Sequence, residues 1–150
     1  GVSVTQSVIE SSTVATGATV GPFAHLRPNS HLGQDVHIGN FVEVKNSTLG
    51  AGVKSGHLTY IGDADLGRDI NIGCGTIFVN YDGKKKHRST VGDQAFIGCN
   101  ANIVSPVKIG DQTFIAAGTT VTHDVPDQAL AISRVKQDNI PNYWQKFSKK

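Results

Sequence analysis

Four kinds of side chain in this sequence are equipped for chemistry. His57 lies in the stretch Gly56-His57-Leu58-Thr59-Tyr60. An imidazole exchanges its proton around neutral pH, so a positioned histidine is the commonest general base. By residue type alone a histidine is more often structural or solvated than catalytic, and both readings stand. Glu43 is a carboxylate that either orients the imidazole by holding one ring tautomer or stands solvated on a strand. The cations are scattered, apart from the run Lys84-Lys85-Lys86-His87-Arg88. Arg presents a planar fork and Lys a point charge, and both suit a phosphate dianion. One five-residue run on a chain of formal net charge +2 argues against a nucleic-acid partner. Cys74 and Cys99 are the only cysteines and form no Cys-x-x-Cys pair, so neither a disulfide framework nor a zinc motif is expected.

The elements that must position these groups follow from a repeat. Val8, Val14, Val20, Leu26, Leu32, Ile38 and Val44 are spaced by six, as are Val91, Ile97, Ile103, Ile109, Ile115 and Val121. The residue two places earlier is small or β-branched, as at Ala18, Ala24, Val36, Ala95 and Ala101. Residues two apart on a strand share a face, so each hexad sends one large and one small side chain inward. A six-residue unit is too short for a helical hairpin or a propeller blade. It suits one side of a three-sided coil of 18 residues, stacked on its neighbours as parallel strands about 4.8 Å apart. The expected fold is all-β: a parallel β-helix over 1–125, in about six coils. Periodicity does not give its hand. The register slips between Val44 and Leu66, which is where His57 lies. The segment 79–90 is polar, basic and turn-rich and is expected to leave the column as a loop. The repeat stops at Pro126, and a tail follows over 126–150. A short helix around Ile140–Phe147 is expected there, covering the unpaired edges of the last coil.

Composition excludes several classes. With 17% charged and 38% hydrophobic residues the chain is neither a disordered tail nor a membrane protein, and no apolar run is long enough to span a bilayer. No signal peptide is recognisable, so the cytoplasm is the expected setting. Methionine is absent, which points to a processed or cut piece.

Several stretches, in order, carry a resemblance: GPFAHLRP (21–28), IGNFVEVK (38–45), GHLTYIGDADLG (56–67), NIGCGTI (71–77), NYDGKK (80–85), IAAGTTVT (115–122) and ALAISRV (129–135). They resemble the C-terminal domain of the bacterial bifunctional N-acetylglucosamine-1-phosphate uridyltransferase/glucosamine-1-phosphate N-acetyltransferases. The resemblance implies a left-handed β-helix and a homotrimer with active sites between neighbouring columns. It implies acetyl transfer from acetyl-CoA to the amine of glucosamine-1-phosphate, a step toward UDP-N-acetylglucosamine and cell-wall precursors. Acetyl-CoA would be a co-substrate, with no tightly bound cofactor. The family's nucleotidyltransferase domain, the part that would need magnesium, is expected to be absent from this stretch.

Such a reaction needs a base, donors for an oxyanion, cations for the sugar phosphate and a groove for the pantetheine arm. The resemblance makes His57 the base, with Glu43 beside it. It places Arg27, Lys45, Tyr60 and Lys86 at the phosphate, with Asn71 at the sugar. It places Asn80 and Tyr81 at the acetyl end, and Cys74, Cys99, Ala117 and Arg134 along acetyl-CoA. Ala117 would act through its backbone and Arg134 on a CoA phosphate. Cys74 stands where alanine is usual in the family, and Cys99 where serine is usual. The hexad register also predicts that these two cysteines are neighbours on adjacent coils, held as thiols in a reducing cytosol.

Three other functions could occur on the same fold. A metal site built from His25, His31 and His37 fails, because a spacing of six puts them on three different sides. A non-enzymatic solenoid would show a regular threonine face and no basic insertion. Another hexapeptide acyltransferase, with a different amine or hydroxyl acceptor, is the remaining alternative.

Overall fold

A computed structural model of the chain describes residues 1–148. The hexads become short strands, most of them two or three residues long, each an outward residue followed by an inward aliphatic. The strands pair in parallel, coil on coil, into a left-handed β-helix of about seven turns. Two of its three sides form one 13-stranded sheet, because His37–Lys45 and Lys54–Gly62 run unbroken around the corner between them. The third side is a six-stranded sheet.

In-register pairing turns the aliphatic repeat into three vertical columns. One runs Val20, Ile38, Ser55, Ile72, Ile97, Ile115. Another contains Leu26, Val44 and Ile61, with Phe78, Ile103 and Val121 above. The third is Val14, Leu32, Leu49, Leu66, Val91, Ile109. Nearly all of these side chains are buried, which gives one continuous core along the axis. Ser55 is the exception in kind. It takes an aliphatic's place, and its Oγ is buried without a hydrogen-bond partner among the described residues.

The register slip is a change in coil length. His25 lies opposite Glu43, eighteen residues on, whereas Lys54 lies opposite Asn71, seventeen on. The residue lost in these coils is taken from the corner between the second and third sides, so that Leu32, Leu49 and Leu66 still stack.

The column is longer than the hexads alone suggested. It begins with Ser3–Val4, and Val8 is not the inward residue of its strand: Val8 pairs with His25 and is 55% exposed, while Ile9 aligns with Leu26. At the other end the coil continues past Pro126, and Leu130–Ala131 pairs with Phe114–Ile115. The tail helix is a single turn, Trp144–Phe147, with no buried residue, and Trp144 is 74% exposed. It does not cover the last coil of its own chain, contrary to the expectation from the sequence. The remaining two residues of the tail, 149 and 150, lie outside the described residues.

Strand pairing narrows the excursion expected over 79–90, because Val79, Ser89 and Thr90 belong to ladders. The segment between them is pinched by an antiparallel bridge between Tyr81 and Lys86. Asp82 Oδ1 accepts the backbone N–H groups of Lys84 and Lys85 at 2.7 Å, and its Oδ2 meets His87 Nε2 at 2.7 Å. The Lys85 N–H, then His87 and the Lys84 N–H, hold the Asp82 carboxyl down at about 2.

Two outcomes follow. Ile97→Ala removes a fully buried link of one column and should cost about 2–5 kcal/mol in denaturant unfolding, through lost burial and the cavity left behind. The Asp82 bonds favour the folded loop above the ordinary carboxylate range and are lost as pH falls through about 2. The Lys84 and Lys85 amide resonances should therefore shift near that pH in NMR. A midpoint at an ordinary carboxylate value would contradict this account.

Candidate active site

His57 lies at the corner between the first two sides, midway along Lys54–Gly62, and its partner one coil below is Asn40. Two features of the chain make this corner. Gly39 and Gly56 lie against each other, and a Cβ on Gly39 would fall 1.8 Å from the Gly56 carbonyl oxygen. Leu58 follows with φ 51°, a left-handed backbone that costs a bulky residue of order 1 kcal/mol. Both His57 and Leu58 are left exposed.

Above His57 the same corner position recurs on successive coils. Ser55 pairs with Ile72, and the Gly75 N–H donates to the Leu58 carbonyl at 2.8 Å, which places Cys74 over His57. Ile72 pairs with Ile97, and the Asn100 N–H donates to the Cys74 carbonyl at 2.8 Å, which places Cys99 over Cys74. Ala117 follows by the Ile97–Ile115 pair and the Gly118 N–H to the Cys99 carbonyl at 2.8 Å. The predicted cysteine stacking is therefore present, with Cys99 exposed and Cys74 half-buried. Arg134 closes the series, its guanidinium donating to the Ala117 carbonyl at 3.2 Å. At this corner the coil-to-coil bonds are donated by Gly73 and Gly75, Gly98 and Asn100, and Ala116 and Gly118. The N–H groups of Cys74, Cys99 and Ala117 lie between those donors and make no backbone bond among the described residues.

Around the corner, on the second side, stand the anion-binding candidates. Arg27 and Lys45 follow the paired residues Leu26 and Val44, so they are neighbours on adjacent coils. Each cation has its own carboxylate. Arg27 Nη1 donates to Glu43 Oε1 at 3.2 Å, and Lys45 Nζ lies 3.2 Å from Asp63 Oδ2. Tyr60 is the ladder partner of Glu43, and its hydroxyl accepts from Asn80 Nδ2 at 3.2 Å. Asp63 also accepts from Asn46 at 2.7 Å and Asn80 at 2.6 Å. Burial pushes the Asp63 carboxyl up, but these amides and Lys45 outweigh it and hold the group below its ordinary value.

Two expected placements do not occur within the chain. Glu43 is directed at Arg27 rather than at His57, because it sits three residues past Asn40, the ladder partner of His57. Lys86 does not join Arg27 and Lys45: the Tyr81–Lys86 bridge folds its ammonium over the Tyr81 ring, 4.3 Å from the centroid. Asn71 stands on the first side, between Lys54 and Phe96, three residues before Cys74. His25, His31 and His37 point to different sides and are engaged by Glu10, Thr13 and Thr19. Among the described residues no three His, Cys, Asp or Glu side chains are placed to hold a metal ion, and no helix is long and apolar enough to cross a membrane. A cavity of about 430 Å³ lies at the open end of the last coil, between Thr119–Pro126 and Ala129–Ser133, and does not include His57. Asp63 and Asn46 were not among the candidates named from the sequence. The available signal was an acidic residue immediately after an inward Ile61-Gly62, where a charge needs partners.

Comparison with known proteins supplies the relatives. Residues 88–123 match the model of the family described as bacterial transferase hexapeptide (six repeats). Proteins named bifunctional protein GlmU from Levilactobacillus brevis and Shouchella clausii are 62% and 53% identical over 146 residues, 97% of this chain. The chain spans about a third of the length of these curated relatives, 32% in each case. Among solved structures, PerB of Caulobacter crescentus, in complex with CoA and GDP-perosamine, superposes with a TM-score of 0.71. It is 26% identical, with 79% of this chain and 55% of that one covered. The UDP-N-acetylglucosamine acyltransferase of Francisella novicida, 16% identical with a TM-score of 0.66, shares the fold over 85% of this chain and 62% of its own. The chain thus belongs with the GlmU proteins, as their C-terminal hexapeptide-repeat part.

Proposed function

We propose that the chain transfers the acetyl group of acetyl-CoA to the amine of glucosamine-1-phosphate, giving N-acetylglucosamine-1-phosphate and CoA. The observation that carries this is the meeting of two series at one corner. His57, Cys74, Cys99, Ala117 and Arg134 rise along the axis, and the Arg27–Lys45 pair lies on the adjoining side. From His57 to Ala117 is three coil spacings, about 14 Å, a suitable run for an extended pantetheine arm that ends with its thioester near the imidazole. Arg134, above Ala117, would meet a CoA phosphate.

In the reaction His57 takes a proton from the acceptor amine as its nitrogen attacks the thioester carbonyl. A C–N bond forms and the carbonyl becomes an oxyanion. The uncommitted N–H groups of the corner, those of Cys74 and Cys99, are donors of the kind that stabilise such a charge without reorganising. The C–S bond then breaks, and the thiolate recovers the proton from the imidazolium. Arg27, Lys45 and Tyr60 bind the phosphate, Asn71 contacts the sugar, and Asn80 and Tyr81 face the acetyl end. Glu43 contributes by fixing Arg27 through their ion pair. Lys86 reaches the phosphate only if the loop lets its ammonium leave the Tyr81 ring. The low exposure demanded of a thioester site is not met by one column alone. We take the working form to be a homotrimer in the cytoplasm, with neighbouring columns closing the cleft. The exposed stacked pair Phe96–Phe114, with ring centroids 4.7 Å apart, is an apolar surface that suits such contact.

The test is acetyl transfer to a panel of acceptors, followed by release of the CoA thiol. Glucosamine-1-phosphate should be preferred, and His57→Ala should lower kcat by about 10²–10⁴-fold with the fold intact by circular dichroism. Preference for a nucleotide-linked amino sugar or a hydroxyl acceptor would favour a different hexapeptide acyltransferase. A thiol reagent should modify exposed Cys99 before half-buried Cys74, and acetyl-CoA should slow modification of both, read by mass spectrometry of the intact chain.

A further inference from the structure

The acetyl-transfer scheme leaves Asp63 without a role, yet its carboxylate is the hub of the phosphate side. Its side chain is 6% exposed. It accepts Asn46 Nδ2 at 2.7 Å, Asn80 Nδ2 at 2.6 Å and the Lys45 ammonium at 3.2 and 3.3 Å. A buried carboxylate is tolerated only when its oxygens are engaged in this way. The donors come from three places in the chain: the end of His37–Lys45, the residue after it, and the first residue of the inserted loop. The same Asn80 amide nitrogen lies 3.2 Å from the Tyr60 hydroxyl. Gly62 leaves the room for this convergence, since a Cβ there would fall 2.4 Å from Tyr60 Oη and 2.6 Å from Asn80 Nδ2.

We propose that Asp63 is a positioning residue that holds the Lys45 ammonium, the Asn80 amide and the Tyr60 hydroxyl as one preformed unit of the acceptor site, with Lys45 and Tyr60 turned to the phosphate. Lysine is a flexible arm, and its ammonium has a fixed place only when a partner supplies one. Asp63 does so from inside the column, leaving the outer side of the ammonium for the ligand. The backbone's part in the coil does not need the carboxylate, because the Asp63 N–H bonds the Lys45 carbonyl at 3.0 Å and the Asp63 carbonyl accepts from Ser89 at 3.1 Å. Asparagine also tolerates the φ of 52° found at this residue. Asp63→Asn therefore removes the charge and one acceptor while keeping shape and backbone.

This inference rests on the acetyltransferase reading, and the experiment separates the two. Steady-state kinetics of wild type and Asp63→Asn are measured in both substrates on the full chain. If the wild type acetylates glucosamine-1-phosphate, the functional reading stands whatever the variant does. The positioning role then predicts an acceptor KM raised roughly tenfold to a hundredfold, with the KM for acetyl-CoA within about twofold. KM does not depend on the fraction of folded enzyme, so a purely structural effect would lower kcat and leave this split absent. An unchanged acceptor KM overturns the proposal. Should Asp63→Asn fail to fold, Asn46→Ala, which removes only one donor to the carboxylate, reads the same quantity. A severalfold rise in acceptor KM supports the role and no rise overturns it.

Discussion

The hydrogen bond from each coil to the next is the constraint on which the molecule depends. Parallel ladders admit one spacing, about 4.8 Å, and in-register pairing repeats it on all three sides. Once this holds, a residue's position within its coil decides everything about its surroundings. Inward residues stack into aliphatic columns, outward residues form ladders on flat sides, and corner residues line up along edges. The site is built from these alignments and not from a pocket enclosed by one chain. The series from His57 to Ala117 is an edge, and the Arg27–Lys45 pair is a ladder on the side next to it.

Departures from the repeat coincide with the proposed site. The coils around His57 are one residue short, the corner before it is made of two abutting glycines, and Leu58 takes a left-handed backbone directly after it. Ser55, two residues before His57, interrupts an aliphatic column and leaves a buried hydroxyl without a partner among the described residues. Each feature costs stability locally, and the long uninterrupted columns above and below absorb that cost. The Asp63 cluster is a second departure: a charge is drawn into the wall of the column and satisfied there by three residues from two other segments. A rigid frame lets such strained or charged groups persist without loosening the rest.

Charge is handled by local pairing. Arg27 with Glu43, Lys45 with Asp63 and Arg88 with Asp65 each join residues that are far apart in sequence but close in space. For Asp65 the Arg88 hydrogen bonds come first and hold the carboxyl below its ordinary value against burial. Arg88 also donates to the Asn46 carbonyl at 2.9 Å, so the end of the inserted loop is fastened to the column beside Asp63. The loop is thus a tethered element, tied at its base by Asn80 and Arg88 and closed on itself by Asp82.

Periodicity alone determined that this chain is a triangular coil, which residues of the hexads from Val14 onward face inward, and that Cys74 and Cys99 stack. Those are consequences of a period of six acting through a fixed coil spacing, and every hexad votes on them. The motif stretches named the candidate residues, since His57, Arg27, Lys45 and Arg134 lie in segments too specific to be mere repeat. The sequence could not show what each candidate touches. Glu43 turned to Arg27 and Lys86 to Tyr81 because side-chain pairing is set by coil length and by the bridge that closes the loop, neither of which the hexads encode. The same holds for the ends, where Ser3–Val4 and Leu130–Ala131 join the column without a recognisable hexad. Asp63 was legible only as an aspartate after a glycine. Its role as a hub depends on Asn46 and Asn80, which only the stacking of successive coils and the return of the loop bring to one carboxylate.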